Sequence, residues 1–227
     1  MGETNNGSGG HRQRLRSRFA RCGLVGFQDY EIVELLLTYA IPRKDVKPLA
    51  KLLTERFHNI SGLLNASAND LLSVPGVGLQ TAILFRLMRE MMTKALEDNL
   101  RNAAVFNSRQ DICDFLRMKI GGSPKETLVV FYLNSGRRMI EYDLYHGTVD
   151  HTNVYAREIA ERALLTHACG VILAHNHPSG NPRPSPDDLV MTAGLRRTLA
   201  QLDITLFDHV IVTPTAAVSF ASGENPE

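Results

Sequence analysis

The stretch ILAHNHPSGNPRPSPDDL, residues 172–189, places two histidines one residue apart at the end of an apolar run, then a proline-rich loop, Ser185 and a pair of aspartates. CGVILAHN reads as a buried strand, a short apolar run bounded by turn residues. Residues i and i+2 of a strand share a face, so His175 and His177 present two imidazoles together if the strand persists to its end. Asp188 follows at the start of the next helix, where it can return as a third ligand. Zn²⁺ accepts neutral imidazole and carboxylate ligands, and a catalytic site keeps one position for water. His175, His177 and Asp188 are therefore candidate ligands for one zinc ion. A second account needs no chemistry. Ser185-Pro186-Asp187-Asp188 is also a helix start, with Ser at the N-cap, Pro at N1 and an acid at N3, and two histidines beside a proline turn can simply end a strand.

Around this stretch, strands and helices alternate. DICDFLRMKI reads as a helix stopped by GGSP, ETLVVFYLN as a strand, SGRR as a hairpin turn and MIEYDLYHGTV as a second strand. AREIAERALLTH and SPDDLVMTAGLRRTLAQL read as helices, and DHVIVTP as a further strand, with His209, which precedes its apolar run, as a structural residue. This pattern predicts an α/β layered domain over residues 104–222 with an open or mixed central sheet. Upstream the apolar spacing is helical, in DYEIVELLLTYA, VKPLAKLLTERF, ISGLLNAS, ANDLLSV and LQTAILFRLMREMMTKAL. Pro42, Pro48 and the glycines near 76 divide these into short helices, giving a helical module over 11–96. Residues 1–10, rich in Gly, Asn and Ser, are expected to be a disordered tail, and EDNLRNA at 97–103 a linker.

The chain has 227 residues, 44% hydrophobic and 22% charged, a composition able to bury a sizeable core. No apolar run is long enough for a membrane span, and the first residues lack the apolar core of a signal peptide. Cys22, Cys113 and Cys169 form no CxxC and no even disulfide framework, so a reducing cytoplasm is expected. The formal net charge of +1 conceals 13 Lys/Arg against 10 Asp/Glu in residues 1–100, and 12 against 14 thereafter. HRQRLRSRFARC carries Arg12, Arg14, Arg16, Arg18 and Arg21 with no acid. Such a cluster can meet DNA phosphates; it can equally be a solvated helix face or a mobile arm. Pro75-Gly76-Val77-Gly78, with Ala82 beyond, is similar to the hPGhGxxxA pattern of a helix-hairpin-helix. There glycines let the backbone approach a phosphate at a helix start. A tight αα-hairpin needs glycine without any DNA as well. Gly76, Gly78, Arg12, Arg14 and Arg16 are thus candidate contacts for non-specific DNA.

HNHPSGNPRPSPDD resembles the H-x-H-x7-S-x2-D motif of the JAB/MPN (JAMM) metalloprotease superfamily, with His175, His177, Ser185 and Asp188 in its four positions. Together with GHRQRLRSRF, DYEIVELLLTYAIPRKDVKPLAKLL, the PGVG turn and LAHNHPSGNPRPS, the chain resembles the RadC family over residues 10–220. VYAREI departs from the V-H-P-R-E of many relatives, outside the motif positions. The resemblance implies a helix-hairpin-helix module before a cytidine-deaminase-like α/β zinc domain with a mixed central sheet. It also implies zinc held by His175, His177 and Asp188, Ser185 bonding a developing oxyanion, and a glutamate relaying the proton of the attacking water. Glu126 is the candidate base. It opens an apolar strand just after Pro124, as the superfamily's glutamate opens an early strand. Glu141 lies mid-strand in the hairpin, and Glu158 and Glu161 sit on a helix. Asn176 alternates away from the histidines and is expected to make a structural hydrogen bond. A TIM-barrel hydrolase needs more residues than the second half supplies, and a cupin needs consecutive strands. The expected function is zinc-dependent hydrolysis of a peptide or isopeptide amide on an unidentified protein or peptide substrate. The alternative is a DNA repair or recombination accessory with a structural or vestigial zinc site.

Overall fold

The computed structural model describes residues 7–102, 109–146 and 152–220. Their elements are, in order, α1 (Gly7–Cys22), α2 (Asp29–Ala40), α3 (Lys47–Phe57), α4 (Ile60–Asn65), α5 (Ala68–Leu72), α6 (Leu79–Asn102), α7 (Arg109–Lys119), β1 (Thr127–Leu133), β2 (Met139–His146), α8 (Thr152–Leu165), β3 (Gly170–Asn176), α9 (Pro186–Ala200), β4 (Thr205–Val212) and β5 (Ala217–Ser219). The chain divides into two compact units, Met1–Glu90 and Met91–Glu227. No helix among the described residues is long and apolar enough to cross a membrane.

Among the described residues the first unit contains helices and no strands, as its 3.6-residue periodicity requires. Val33, Leu37, Ala50, Leu53, Leu63 and Phe85 are buried in it. Its short helices start at side-chain caps: Asn59 accepts from Gly62 N, and Ser67 from Asp70 N. Helix α1 begins at Gly7, so residues 7–10 of the expected disordered tail are helical; residues 1–6 lie outside the described ones. Leu15 is buried on α1, and polar contacts do much of the docking. His11 Nε2 lies 2.8 Å from Glu34 Oε1. Arg12 donates to the carbonyls of Ile41 and Lys44. Arg16 donates to the carbonyl and hydroxyl of Thr38, and Arg18 pairs with Glu31 at 2.7 Å while covering the Phe27 ring. The arginine cluster is therefore neither a mobile arm nor a wholly solvated face. Its polarity is the adhesive of an N-terminal helix with little apolar surface.

Between α5 and α6 the chain turns at Gly76, whose φ of +94° is one that a side chain resists. The turn closes through Val77 N–H donating to the Val74 carbonyl, with Val77 buried. Gly78 is different. No atom lies within 4 Å of where its Cβ would be, so no close approach within the chain demands glycine there.

The second unit is a layered α/β domain on a mixed five-stranded sheet of order β2-β1-β3-β4-β5. The β3–β4 pair is parallel and the other pairs are antiparallel. Period-2 alternation sends Val129, Phe131, Leu133, Ile172 and Ala174 to one face, against Phe115 and Leu116 of α7 and Leu100 of α6. Leu128, Val130, Tyr132, Val171 and Leu173 face the other way, against Ile159 and Ala163 of α8 and Leu195 and Leu199 of α9. Covered on both faces, β1 and β3 are buried throughout, which is why they read as unbroken apolar runs. Helix α9 is the crossover that the parallel β3–β4 pair requires.

Two details depart from the sequence reading. Residues 97–102, expected as a linker, are the last turns of α6. Glu97 is paired to Lys94 and Arg101, while Leu100 enters the core. Strand β5, three residues pairing with the end of β4, is too short for periodicity to reveal. The remainder of the expected linker, residue 103, is outside the described residues.

Candidate metal centre

The face of the sheet covered by α8 and α9 carries the polar cluster. In β3, Val171 and Leu173 point to that face, and alternation continues it to His175. The ladder extends one residue beyond β3, with His177 N–H donating to the Val212 carbonyl at 3.0 Å, which keeps His177 beside His175. Leu128 of β1 pairs with His175, so Glu126, two residues earlier, lies toward the same face at the strand's mouth. Asp188 enters from the first turn of α9. Glu126, His175, His177 and Asp188 form the one group among the described residues with three or more metal-competent side chains, their ligand atoms all within 4.8 Å of one another.

The separations suit a tetrahedral ion. His175 Nε2 is 2.9 Å from His177 Nε2 and 3.1 Å from Asp188 Oδ1, and His177 Nε2 is 3.4 Å from Asp188 Oδ2. Ligands bonded to zinc at tetrahedral angles stand about 3.3 Å apart. Glu126 Oε1 is farther, 3.9 Å from His175 Nε2. Accessibility is graded in the same way: the His175 and Asp188 side chains are 3% and 2% exposed, His177 14% and Glu126 31%. The cluster thus opens toward solvent on the Glu126 side.

Each candidate ligand is oriented by its neighbours. His177 Nδ1 is 2.7 Å from the Asn181 carbonyl, which can only accept, so Nδ1 carries the proton and Nε2 offers its lone pair. The intervening turn needs Gly180, at φ +79°, to bring that carbonyl back. Asp188 Oδ2 accepts from Ser185 N at 2.7 Å and Ser185 Oγ at 2.6 Å, and Ser185 Oγ accepts from Asp188 N. This capping box fixes the carboxylate rotamer that aims Oδ1 at His175, so the helix start is present and the same arrangement turns Asp188 toward the two histidines. Burial would raise the Asp188 pKa; when His175 carries a proton on Nε2, hydrogen bonding and charge from it, with the bonds from Ser185, outweigh burial and hold the carboxyl well below its ordinary range.

Ser185 therefore stands at the cluster's edge with its hydroxyl proton engaged by Asp188. Donation to a substrate oxygen requires that proton to be redirected. Glu141 is elsewhere, on β2, paired with Arg162 of α8. Arg12, Arg14, Arg16, Gly76 and Gly78 belong to the helical unit. Arg12 and Arg16 have donors committed to carbonyls there, while Arg14 is exposed.

Two residues acquire roles only in three dimensions. Asn176, expected to make a structural hydrogen bond, makes three: its Oδ1 accepts from Thr127 N, and its Nδ2 donates to the carbonyls of Ser123 and Lys125. It clamps the loop that carries Glu126. His209, read as preceding a strand, is inside β4 and fully buried. Its Nε2 is 2.8 Å from His175 Nδ1 and its Nδ1 2.6 Å from Thr192 Oγ1, and Phe220 packs on the ring. Burial, with the nearby imidazoles, pushes its pKa well down. The residue partnering His209 is set by the β3–β4 register, in which His175 faces Ile211, and no local pattern reports that pairing.

The family model described as the RadC-like JAB domain matches residues 106–225. UPF0758 protein FN0909 of Fusobacterium nucleatum subsp. nucleatum is 38% identical over 219 residues, covering 93% of this chain and 94% of that protein. UPF0758 protein SPO0054 of Ruegeria pomeroyi is 38% identical over 211 residues, covering 92% and 94%. A UPF0758 protein of Polaromonas sp. is 36% identical over 209 residues, covering 92% and 93%.

Proposed function

Since this chain belongs to the RadC family, with its RadC-like JAB domain, we propose that it is a zinc-dependent hydrolase of the JAMM type that cleaves a peptide or isopeptide amide. The observation that carries this reading is the convergence of two imidazoles and two carboxylates within 4.8 Å, with spacings between the three inner groups near a tetrahedral edge. His175, His177 and Asp188 are the ligands in this reading. Zinc in such a donor set polarises a carbonyl and makes water acidic enough to lose a proton near neutral pH.

Glu126 then accepts the water's proton at a carboxylate oxygen and delivers it to the leaving amine nitrogen. Its partial exposure suits that task, because the acid must meet both water and substrate. Asn176 holds the Glu126 loop in register with His175. Ser185 fixes Asp188 and, when its hydroxyl turns away from that carboxylate, donates to the oxygen of the tetrahedral adduct.

The test combines metal analysis with a screen of peptide and isopeptide substrates read by mass spectrometry. Glu126→Gln should keep its zinc and fold and lose cleavage, since an amide cannot take up the proton. Cleavage undiminished in Glu126→Gln would remove Glu126 from its role. A wild-type chain that takes up no zinc would remove the reading altogether.

A second reading, a DNA-associated accessory protein, is favoured by the Gly76 turn leading into the first turn of α6 and by exposed Arg14 on α1 of the same unit. The engagement of Arg12 and Arg16 with carbonyls leaves it fewer cations. It requires weak, sequence-independent DNA binding that falls steeply with salt and weakens in Gly76→Val.

A further inference from the structure

We propose that His209 and Thr192 are positioning residues that fix the tautomer of His175, keeping its Nε2 lone pair toward the candidate metal position. The inference rests on the ligand assignment above and concerns residues outside the HxH motif.

The direction of the hydrogen bonds follows from one group that can only accept. The backbone carbonyl of Asp188 lies 2.6 Å from Thr192 Oγ1, so the hydroxyl donates its single proton there, one helical turn back. Toward His209 Nδ1, also 2.6 Å away, the same oxygen must then accept. His209 Nδ1 carries the hydrogen, and the neutral ring presents a bare Nε2. At 2.8 Å that nitrogen accepts from His175 Nδ1, which leaves His175 Nε2 unprotonated and facing Asp188 Oδ1 and His177 Nε2.

The Asn181 carbonyl imposes the same tautomer on His177. Two bare imidazole nitrogens and a carboxylate oxygen consequently confront one another, an arrangement relieved by a shared metal cation or by uptake of a proton. The relay also spans three elements. It starts at the backbone of ligand Asp188 on α9, crosses His209 on β4 and ends at ligand His175 on β3. Ligands from different segments are thereby held in a common geometry. Partners of this kind orient a metal-binding histidine and set its basicity.

Two measurements on the full chain test the proposal. In the metal-free protein, imidazole ¹⁵N signals should show His175 as the Nδ1–H tautomer, and Thr192→Val should disturb that signature. Zn²⁺ titration against a competing chelator should show Thr192→Val, which keeps the side-chain shape, binding about 10–100-fold more weakly. His209→Leu should be at least as poor, whereas His209→Gln should retain most of the affinity, since its amide offers an acceptor to His175 and a donor to Thr192. Rescue by Gln separates orientation from mere filling of space. An Nε2–H tautomer of His175 in the folded metal-free chain, or wild-type affinity in Thr192→Val, would overturn the proposal. If the wild type binds no zinc, the hydrolase reading falls, and the tautomer measurement still decides this one.

Discussion

Replacing Asn176 by Ala tests whether one buried amide holds the segment that carries Glu126. Asn176 is fully buried, and its side chain extends the β1–β3 ladder past its last pair, Leu128 with His175. In the variant, Thr127 N–H loses its 2.9 Å acceptor in a residue only 2% exposed. A buried donor left unpaired costs about 1–3 kcal/mol. The Ser123 and Lys125 carbonyls lose donors at 3.1 and 3.2 Å, but both residues are at least partly exposed and water replaces the amide. The net loss is therefore governed by Thr127, and its amide should exchange with solvent about 5- to 150-fold faster, with a matching fall in the unit's stability to denaturant. Asn176→Asp should be worse than Ala, because it turns a buried carboxylate oxygen toward two carbonyl oxygens that can offer it no proton. Zinc content should stay near wild type in Asn176→Ala, and hydrolysis should fall through the displaced Glu126. Unchanged Thr127 exchange, or Asp tolerated better than Ala, would show that the loop is held by something other than this clamp.

Zinc should raise the melting temperature of the wild-type chain and a chelator should reverse the rise. An ion present at a thousand times its dissociation constant stabilises by about 4 kcal/mol. His175→Ala and Asp188→Asn should lose most of that response, and an undiminished shift in both would exclude the ligand set. Gly76→Ala should destabilise the helical unit by roughly 1–2 kcal/mol, since φ of +94° is strained for any L side chain. Gly78→Ala should be neutral or stabilising by about 0.4–1 kcal/mol, because a Cβ there meets nothing within 4 Å; equal losses in chemical denaturation would refute the distinction. Gly180→Ala should weaken zinc uptake by displacing the Asn181 carbonyl from His177, as the chelator titration would read.

Most secondary elements were legible because they are local. The 3.6-residue periodicity upstream of residue 96 and the buried runs TLVVFYL and GVILAHN each carry their own pattern, and Ser185 with Asp188 announces a helix start from a four-residue window. The cluster was legible for a related reason. His175 and His177 share a strand, and Asp188 and Glu126 stand at element ends that the sheet brings to the same edge.

What the tertiary structure alone decided concerns pairings between distant segments. Register set His209 against His175, 34 residues away, and made a residue that looked merely structural the neighbour of a candidate ligand. Packing directed Arg12 and Arg16 onto backbone carbonyls, where composition suggested phosphates. It also drew Leu100 into a core, so that a polar segment resembling a linker remained helix. A sequence displays the periodicity of each segment because every residue in it experiences the same local geometry. It does not display which donor meets which acceptor across the fold, because that depends on the burial of apolar faces elsewhere in the chain.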